Sequence, residues 1–418
     1  MAAGWWVTSL VAAATAVTSP ASWKDPQTGH RIVRIDDSPG NYALYFNYNA
    51  FTPKGDRMVY LTAEGIRTVN LHDWSTRLVL RMKVDRLLFA GTRTNTAYYT
   101  TRAANVDDGG PVTLWAVSLD TGKTRRIADV PGGRIETINA DETLLAGQRE
   151  LEPPPPEIAR QGRRDPRTGS PAYAGTGADG KPLSFADAKA QWMEARLAAR
   201  VPMEMFTIDI RTGERRTVHR ATDWLNHLQF SPRDPALLMF CHEGPWDKVD
   251  RIWTIRTDGT ALRKVHQRSM VGEIAGHEFW SPDGKTIWYD LQTPRNRIFW
   301  LASYDVLSGE RRQYAVRPDQ LSVHFNIAPD LATFAGDGTY SSRWISLFKP
   351  VLTEKPAPGL IAPGELETER LVDMAHQDYT LEPNLHYTPD GKWLVFRGNM
   401  EGRTAIYAVE IASEGTGK

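Results

Sequence analysis

Three histidines stand at one position of a recurring element. His227 lies three residues before Phe230-Ser231-Pro232, His277 three before Trp280-Ser281-Pro282, and His324 three before Ile327-Ala328-Pro329. A further copy, Tyr387-Thr388-Pro389, has Asn384 at that place, with Glu382 and His386 two residues to either side. Along a strand, positions i, i+2 and i+4 share a face. A carboxylate, an amide oxygen and imidazoles that converge suit a divalent cation of the Mn²⁺ or Ca²⁺ type better than a thiophilic metal. Cys241 is the one cysteine, so a cysteine-based zinc site and an intramolecular disulfide are both excluded. Two plainer readings fit the same spacing: a structural histidine that bonds a turn in each repeat, and a polar network lining a channel.

A second stretch with chemistry in it runs from Cys241 to Trp253. The apolar run from Ala236 to Phe240 gives way at once to Cys241-His242-Glu243-Gly244-Pro245, which places these side chains at the rim of a sheet. Cys241 itself reads as a packed strand residue rather than a nucleophile. Arg251 follows in Val249-Asp250-Arg251-Ile252-Trp253. Its guanidinium suits bidentate pairing with a substrate carboxylate, or equally an ion pair with Asp247 or Asp250.

The element that positions these residues is a repeat of about fifty residues. An aromatic or apolar residue, Ser/Thr/Ala-Pro and a polar residue, often followed by Gly, precede an alternating apolar strand. Clear copies begin at Phe51, Phe230, Trp280, Ile327 and Tyr387, and weaker ones at Leu87 and Asn139, which makes seven. Pro presets φ and Gly accepts positive φ, so Pro-Asp-Gly is a turn with a mechanism. A second turn (Asp120-Thr121-Gly122, Arg211-Thr212-Gly213, Thr257-Asp258-Gly259, Leu307-Ser308-Gly309) leads each time to a charged outer strand. Apolar inner strands with polar outer ones are the pattern of propeller blades. The expected fold is therefore all-β, a seven-bladed β-propeller forming a single domain over 23–418. Arg31-Ile32-Val33-Arg34-Ile35 is expected to supply an outer strand of the last blade and close the ring. Residues 150–200 break the period. They hold four consecutive prolines and then a stretch, 185–200, that is helical by propensity. This insertion into the third blade is placed to wall the site or dock a partner.

Lys plus Arg and Asp plus Glu both number 50, so the basic footprint of nucleic-acid binding is missing. Residues 1–22 resemble a signal segment, with an apolar run and small residues but no basic start. That points to a periplasmic or secreted protein, with the cytoplasm as the alternative. No other stretch is long and apolar enough for a membrane span, so no membrane insertion of the mature protein is expected.

The motifs Phe240-Cys241-His242-Glu243-Gly244-Pro245, His277-Glu278-Phe279-Trp280, His324 with Gly336-Asp337-Gly338, and Tyr387-Thr388-Pro389-Asp390-Gly391 resemble those of the oligogalacturonate lyase family. The resemblance implies a seven-bladed propeller with a metal in its central cavity, cleaving uronate oligosaccharides by β-elimination. It further implies His277 as general base, Arg251 as the active-site arginine and His324 as a metal ligand. The family's other ligands lie in a Gln-x-x-His-x-His segment. Here that segment has Tyr379 for the Gln, with Gln377 close by, and Glu382 and Asn384 for the two histidines. Oxygen donors still suit Mn²⁺, the favoured metal, or Ca²⁺. His242 and His227 are expected to bind substrate or to help protonate the leaving oxygen. The competing reading is a non-catalytic sugar-binding or interaction propeller that has lost part of its metal site. Peptidase-associated and translocation-type propellers share the Pro-Asp-Gly blades, but no Gly-x-Ser-x-Gly nucleophile elbow is present.

Overall fold

The computed structural model describes residues 21–104, 106, 110–159, 173–353 and 360–412. The first twenty residues of the signal-like segment lie outside them. The fold is all-β around one insertion. Each sequence repeat forms an antiparallel meander whose inner strands are buried and whose outer strand carries charge. In the fourth, Leu237–Glu243 is almost wholly buried between Trp224–Phe230 and Ile252–Arg256. In the third, Arg215–Ala221 exposes its arginines at the outer edge.

Six hydrogen-bonded sheets hold these meanders. The fifth (Ile274–Trp280 to Arg311–Val316) and the sixth (Phe325–Ile327 to Ala362–Asp373) merge into one eight-stranded sheet. The cause is local: the start of the twelve-residue strand Ala362–Asp373 pairs in parallel with the outer strand Arg311–Val316. The last sheet joins the two ends of the chain. Arg31–Asp36 pairs with Ala405–Glu410, as the sequence led us to expect, and Ala21–Lys24 adds one more strand outside it.

The inner turns owe their shape to the Ser/Thr-Pro-Asp-Gly sequence. The Ser281 hydroxyl donates to Asp283 at 2.6 Å and accepts from the Thr286 amide at 3.0 Å. Thr388 bonds Asp390 and the Trp393 amide in the same way. Gly284 and Gly391 take φ of +69° and +70°, values that cost glycine nothing.

The insertion leaves the third meander after Leu144–Glu150 and returns at Met203–Asp209. Its helix, Phe185–Ala199, starts at Ser184, whose hydroxyl accepts from the Asp187 amide, and stops where Arg200 turns left-handed at φ +50°. Trp192 and Met193 pack on Ile158, and the Trp192 indole donates to the Ile158 carbonyl. Among the described residues no helix is long and apolar enough to cross a membrane.

A cavity of about 740 Å³ is lined by residues of all seven meanders, among them Asn49, Phe89, Glu136, Phe230, Trp280, Ile327 and Tyr387. It occupies the end of the axis that carries the proline turns. Gln229 and Asn47 close it off by donating to the Glu278 carbonyl, and Phe46 stacks on His324 with ring centroids 4.5 Å apart. The histidine site lies beyond that partition.

Candidate active site

The inner strands are interrupted where the chemistry sits. Pairing slips between Asn226 and Gln229 in the fourth meander and between Gly276 and Phe279 in the fifth. His227 and His277 occupy these bulges at φ +50° and +46°, and Asn384 takes +52° in the seventh meander. A non-glycine residue held there costs on the order of 1–3 kcal/mol. Three such residues at one repeat position show that the bulge is built to re-aim a side chain.

Around Arg251 each charged group has a partner of opposite charge within the protein. Its Nε lies 3.1 Å from Glu278 Oε2 and its Nη1 3.5 Å from Glu243 Oε1. Glu243 also accepts from the Asn226 amide at 2.6 Å and stands 3.6 Å from His227 Nε2. The Cys241 thiol donates to Glu278. Burial opposes the charged form of Glu278, but the Arg251 and His227 charges and these hydrogen bonds overcome it and hold its pKa at about 2. Burial likewise opposes charge on Glu243, and His227 and Arg251 reverse it, leaving it well below the usual carboxylate range. Neither Asp247 nor Asp250 pairs with Arg251: Asp250 is taken by Lys264 and Arg268.

His277 is part-exposed, and its Nδ1 lies 3.1 Å from Asp290 Oδ1. Burial disfavours the imidazolium, but the Asp290 charge and hydrogen bond outweigh that and raise the His277 pKa above its ordinary value. With Nδ1 turned to Asp290, Nε2 is the nitrogen left for a substrate.

His324 is fully buried, 5.0 Å from His277 between ring centroids. Asp337 binds it twice, through the backbone amide and through Nδ1, each at 2.8 Å. Its Nε2 is buried with no hydrogen-bond partner and faces Glu382 Oε2 at 3.8 Å. A carboxylate that orients one imidazole nitrogen so that the other presents a lone pair is the usual support of a metal-bound histidine. His324 and Glu382 therefore fit a divalent cation. Among the described residues no cluster of three His, Cys, Asp or Glu completes such a site.

The other expected residues are placed less centrally. The Asn384 amide is directed to the backbone, its oxygen to the Phe46 N–H at 3.3 Å and its nitrogen to the Glu382 carbonyl. The Gln377 side chain is spent on its own loop: its oxygen accepts from the Asn399 amide and its nitrogen donates to the carbonyls of Asp378 and Leu381. Both ends of the amide are thus engaged within that loop. His242 alternates away from Cys241 and Glu243 to the other face of its strand, where it stacks on Trp253 and meets Asp223 at 3.4 Å. It is therefore not grouped with His227 and Arg251. His386 donates from Nε2 to the Leu44 carbonyl, and burial lowers its pKa to about 4.

Residues without an expected role complete the site: Glu243, Glu278, Asp290, Asp337 and Tyr45. The half-buried Tyr45 ring packs against His324 and His227, and its phenol pKa is raised well above normal by burial and by Glu382 and Glu278. Glu243, Glu278 and Asp337 stood beside the histidines in the sequence motifs. Asp290 stands beside His277 because its strand position pairs with Gly276, a register the sequence does not spell out.

The family model described as oligogalacturonate lyase matches residues 181–343, the segment that carries His227, Arg251, His277 and His324. The chain is 31% identical over 222 residues to an oligogalacturonide lyase of Pectobacterium atrosepticum and 29% identical over 218 residues to an oligogalacturonate lyase of Dickeya dadantii. Each match covers 50% of this chain and 55% of the relative, so the chain spans about half the length of the curated relatives it matches. Over 95% of the chain the fold is that of an oligogalacturonate lyase solved in complex with manganese (TM-score 0.72, 23% identity, 96% of that chain). It also matches the oligogalacturonate lyase of Vibrio parahaemolyticus (TM-score 0.72, 21% identity, 98% of that chain). The likeness to oligogalacturonate lyases is thus one of fold along the chain and of sequence over its central segment.

Proposed function

We propose that this chain is a seven-bladed propeller lyase that cleaves uronate oligosaccharides of the oligogalacturonate type by metal-assisted β-elimination, leaving a 4,5-unsaturated uronate. The observation that carries the reading is the pairing of a buried, unpartnered His324 Nε2 with a part-exposed, Asp290-oriented His277 only 5.0 Å away.

The geometry supports the following roles. The C5 proton of a uronate is weakly acidic while its carboxylate keeps full charge. Arg251 has five N–H donors, of which the two glutamates engage only part. The remainder are available to the substrate carboxylate and to the charge that builds up on it as C5 loses its proton. His277 takes that proton at Nε2 while Asp290 holds the ring and favours the resulting imidazolium. The C4=C5 double bond then forms as the C4–O bond breaks, and the leaving oxygen takes a proton from His227 or from water. His227, in the bulge beside Glu243, is placed to orient the sugar. His324 and Glu382 would hold the divalent cation, Mn²⁺ by analogy with the manganese-bound relative, with Ca²⁺ admitted by the oxygen donor. Its chemistry would be to polarise the same carboxylate.

The rival reading, a sugar-binding propeller without catalysis, draws on one observation: fewer protein ligands than a closed metal site needs. A panel of galacturonate and glucuronate oligomers, followed by the ultraviolet absorbance of the unsaturated product with chelator and then Mn²⁺ or Ca²⁺ added back, separates the two. A metal-restored rise on one uronate supports the lyase. Oligomer binding without any rise supports the binding protein.

A further inference from the structure

The insertion helix reaches the mouth of the site. Lys189, on Phe185–Ala199, holds its Nζ 5.3 Å from the centroid of the Trp246 ring. Arg295 approaches the same ring, with Cζ also at 5.3 Å. Trp246 follows Glu243 by three residues, beyond the end of Leu237–Glu243, and packs partly against the Trp192–Met193 cluster of the insertion. Arg295 lies in the turn after Thr286–Gln292, the strand that carries Asp290. A helix and two loops thus bring one indole and two cations together, and Lys189 lies close enough to Glu243 to favour its charge.

These cations differ from their neighbours. Lys248 is tied to Glu194 at 2.7 Å and Arg268 to Asp250 at 3.5 Å. Lys189 and Arg295 form no ion pair among the described residues. Two like charges gathered on one ring repel each other, and an anion bound beside them relieves that repulsion. Trp246 fixes both through its ring face, so the positions are set before a ligand arrives.

We propose that Lys189 and Arg295, held by Trp246, form an outer subsite for the carboxylate of a sugar residue next to the pair being cleaved. The site then selects uronate chains that carry a carboxylate on at least three consecutive residues. The inference rests on the lyase reading above and adds to it the source of chain-length and charge selectivity. A neutral sugar at that position accepts only uncharged-acceptor hydrogen bonds from the ammonium and the guanidinium, whereas a uronate carboxylate makes the stronger charge-assisted ones.

The test compares digalacturonate with trigalacturonate on the wild-type chain and on Lys189→Ala, Arg295→Ala and the double variant. The expected result is a KM for the trimer raised about tenfold in the double variant, with kcat and the dimer KM within about twofold of wild type. The trimer KM of the double variant should also lose most of its dependence on salt. Lys189→Gln keeps the side chain on Trp246 without its charge and should behave as Lys189→Ala does; Arg295→Lys should keep the preference. An unchanged ratio of trimer to dimer KM overturns the subsite while leaving the lyase intact, as does an equal rise for both substrates. If the wild type cleaves no uronate, the lyase reading fails and the subsite with it.

Discussion

The Arg251 centre and the His324 pocket are neighbours built on opposite principles. In the first, every charge has a protein partner: Arg251 meets Glu243 and Glu278, Glu243 meets Asn226 and His227, and Cys241 donates to Glu278. In the second, one buried nitrogen has none, and the Glu382 carboxylate opposite it is about half exposed. The first is complete as folded and holds geometry. The second asks for a ligand, since an unpartnered buried polar atom costs about 1–3 kcal/mol. The charge network is a preformed electrostatic frame, while the open nitrogen beside it is left for the proposed cation.

The comparison is broken most forcefully at Arg251. Arg251→Ala leaves Glu243 and Glu278 buried and unpaired, so we predict a loss of about 3–5 kcal/mol in urea unfolding together with loss of turnover. A change within experimental error would mean that the network is not the frame described. The pH dependence carries the same signature. The folded pKa of Glu278 lies at about 2, below its ordinary value, so its contribution to stability is complete above about pH 4.5 and drains away as pH falls toward 2. Urea unfolding at stepped pH reads it directly.

At the open pocket the effect is on metal rather than on fold. Saturating Mn²⁺ should raise the Tm of the wild type and leave that of His324→Ala unmoved. At a free concentration one hundred times Kd the wild type gains about 2.7 kcal/mol. Equal stabilisation of both proteins would place the cation elsewhere.

The smallest changes sharpen the assignment. Asp290→Asn removes the charge that raises the His277 pKa. Activity needs neutral His277 and therefore falls as pH drops through that pKa, so the acid limb of kcat/KM should move to lower pH in the variant. A limb that stays in place would separate Asp290 from the base. Gln377→Ala should cost about 1–3 kcal/mol of stability, since three backbone bonds lose their partner, yet leave the Mn²⁺ shift intact.

Much of this arrangement was legible in the sequence because it repeats. The position three residues before each Pro turn identified His227, His277, His324 and Asn384, and the structure gives three of these four a positive φ. Strand alternation alone would have separated His242 from Glu243, since adjacent strand residues face opposite ways. Gln377 was named because it stood near the position where a ligand was wanted, and backbone groups claimed its amide first. Asp290 and Tyr45 escaped notice because cross-strand register and the approach of a distant loop bring them in. The parallel pairing of Arg311–Val316 with Ala362–Asp373 was equally unreadable, since it depends on where a long strand begins rather than on its pattern.

The most direct test of the account follows the absorbance of the unsaturated uronate product for the wild type and for His277→Ala, each with chelator and with Mn²⁺ restored. We predict a metal-dependent rise in the wild type and a loss of at least about 10²-fold in His277→Ala, with the Mn²⁺-induced Tm shift preserved in the variant. Full turnover by His277→Ala would contradict the account.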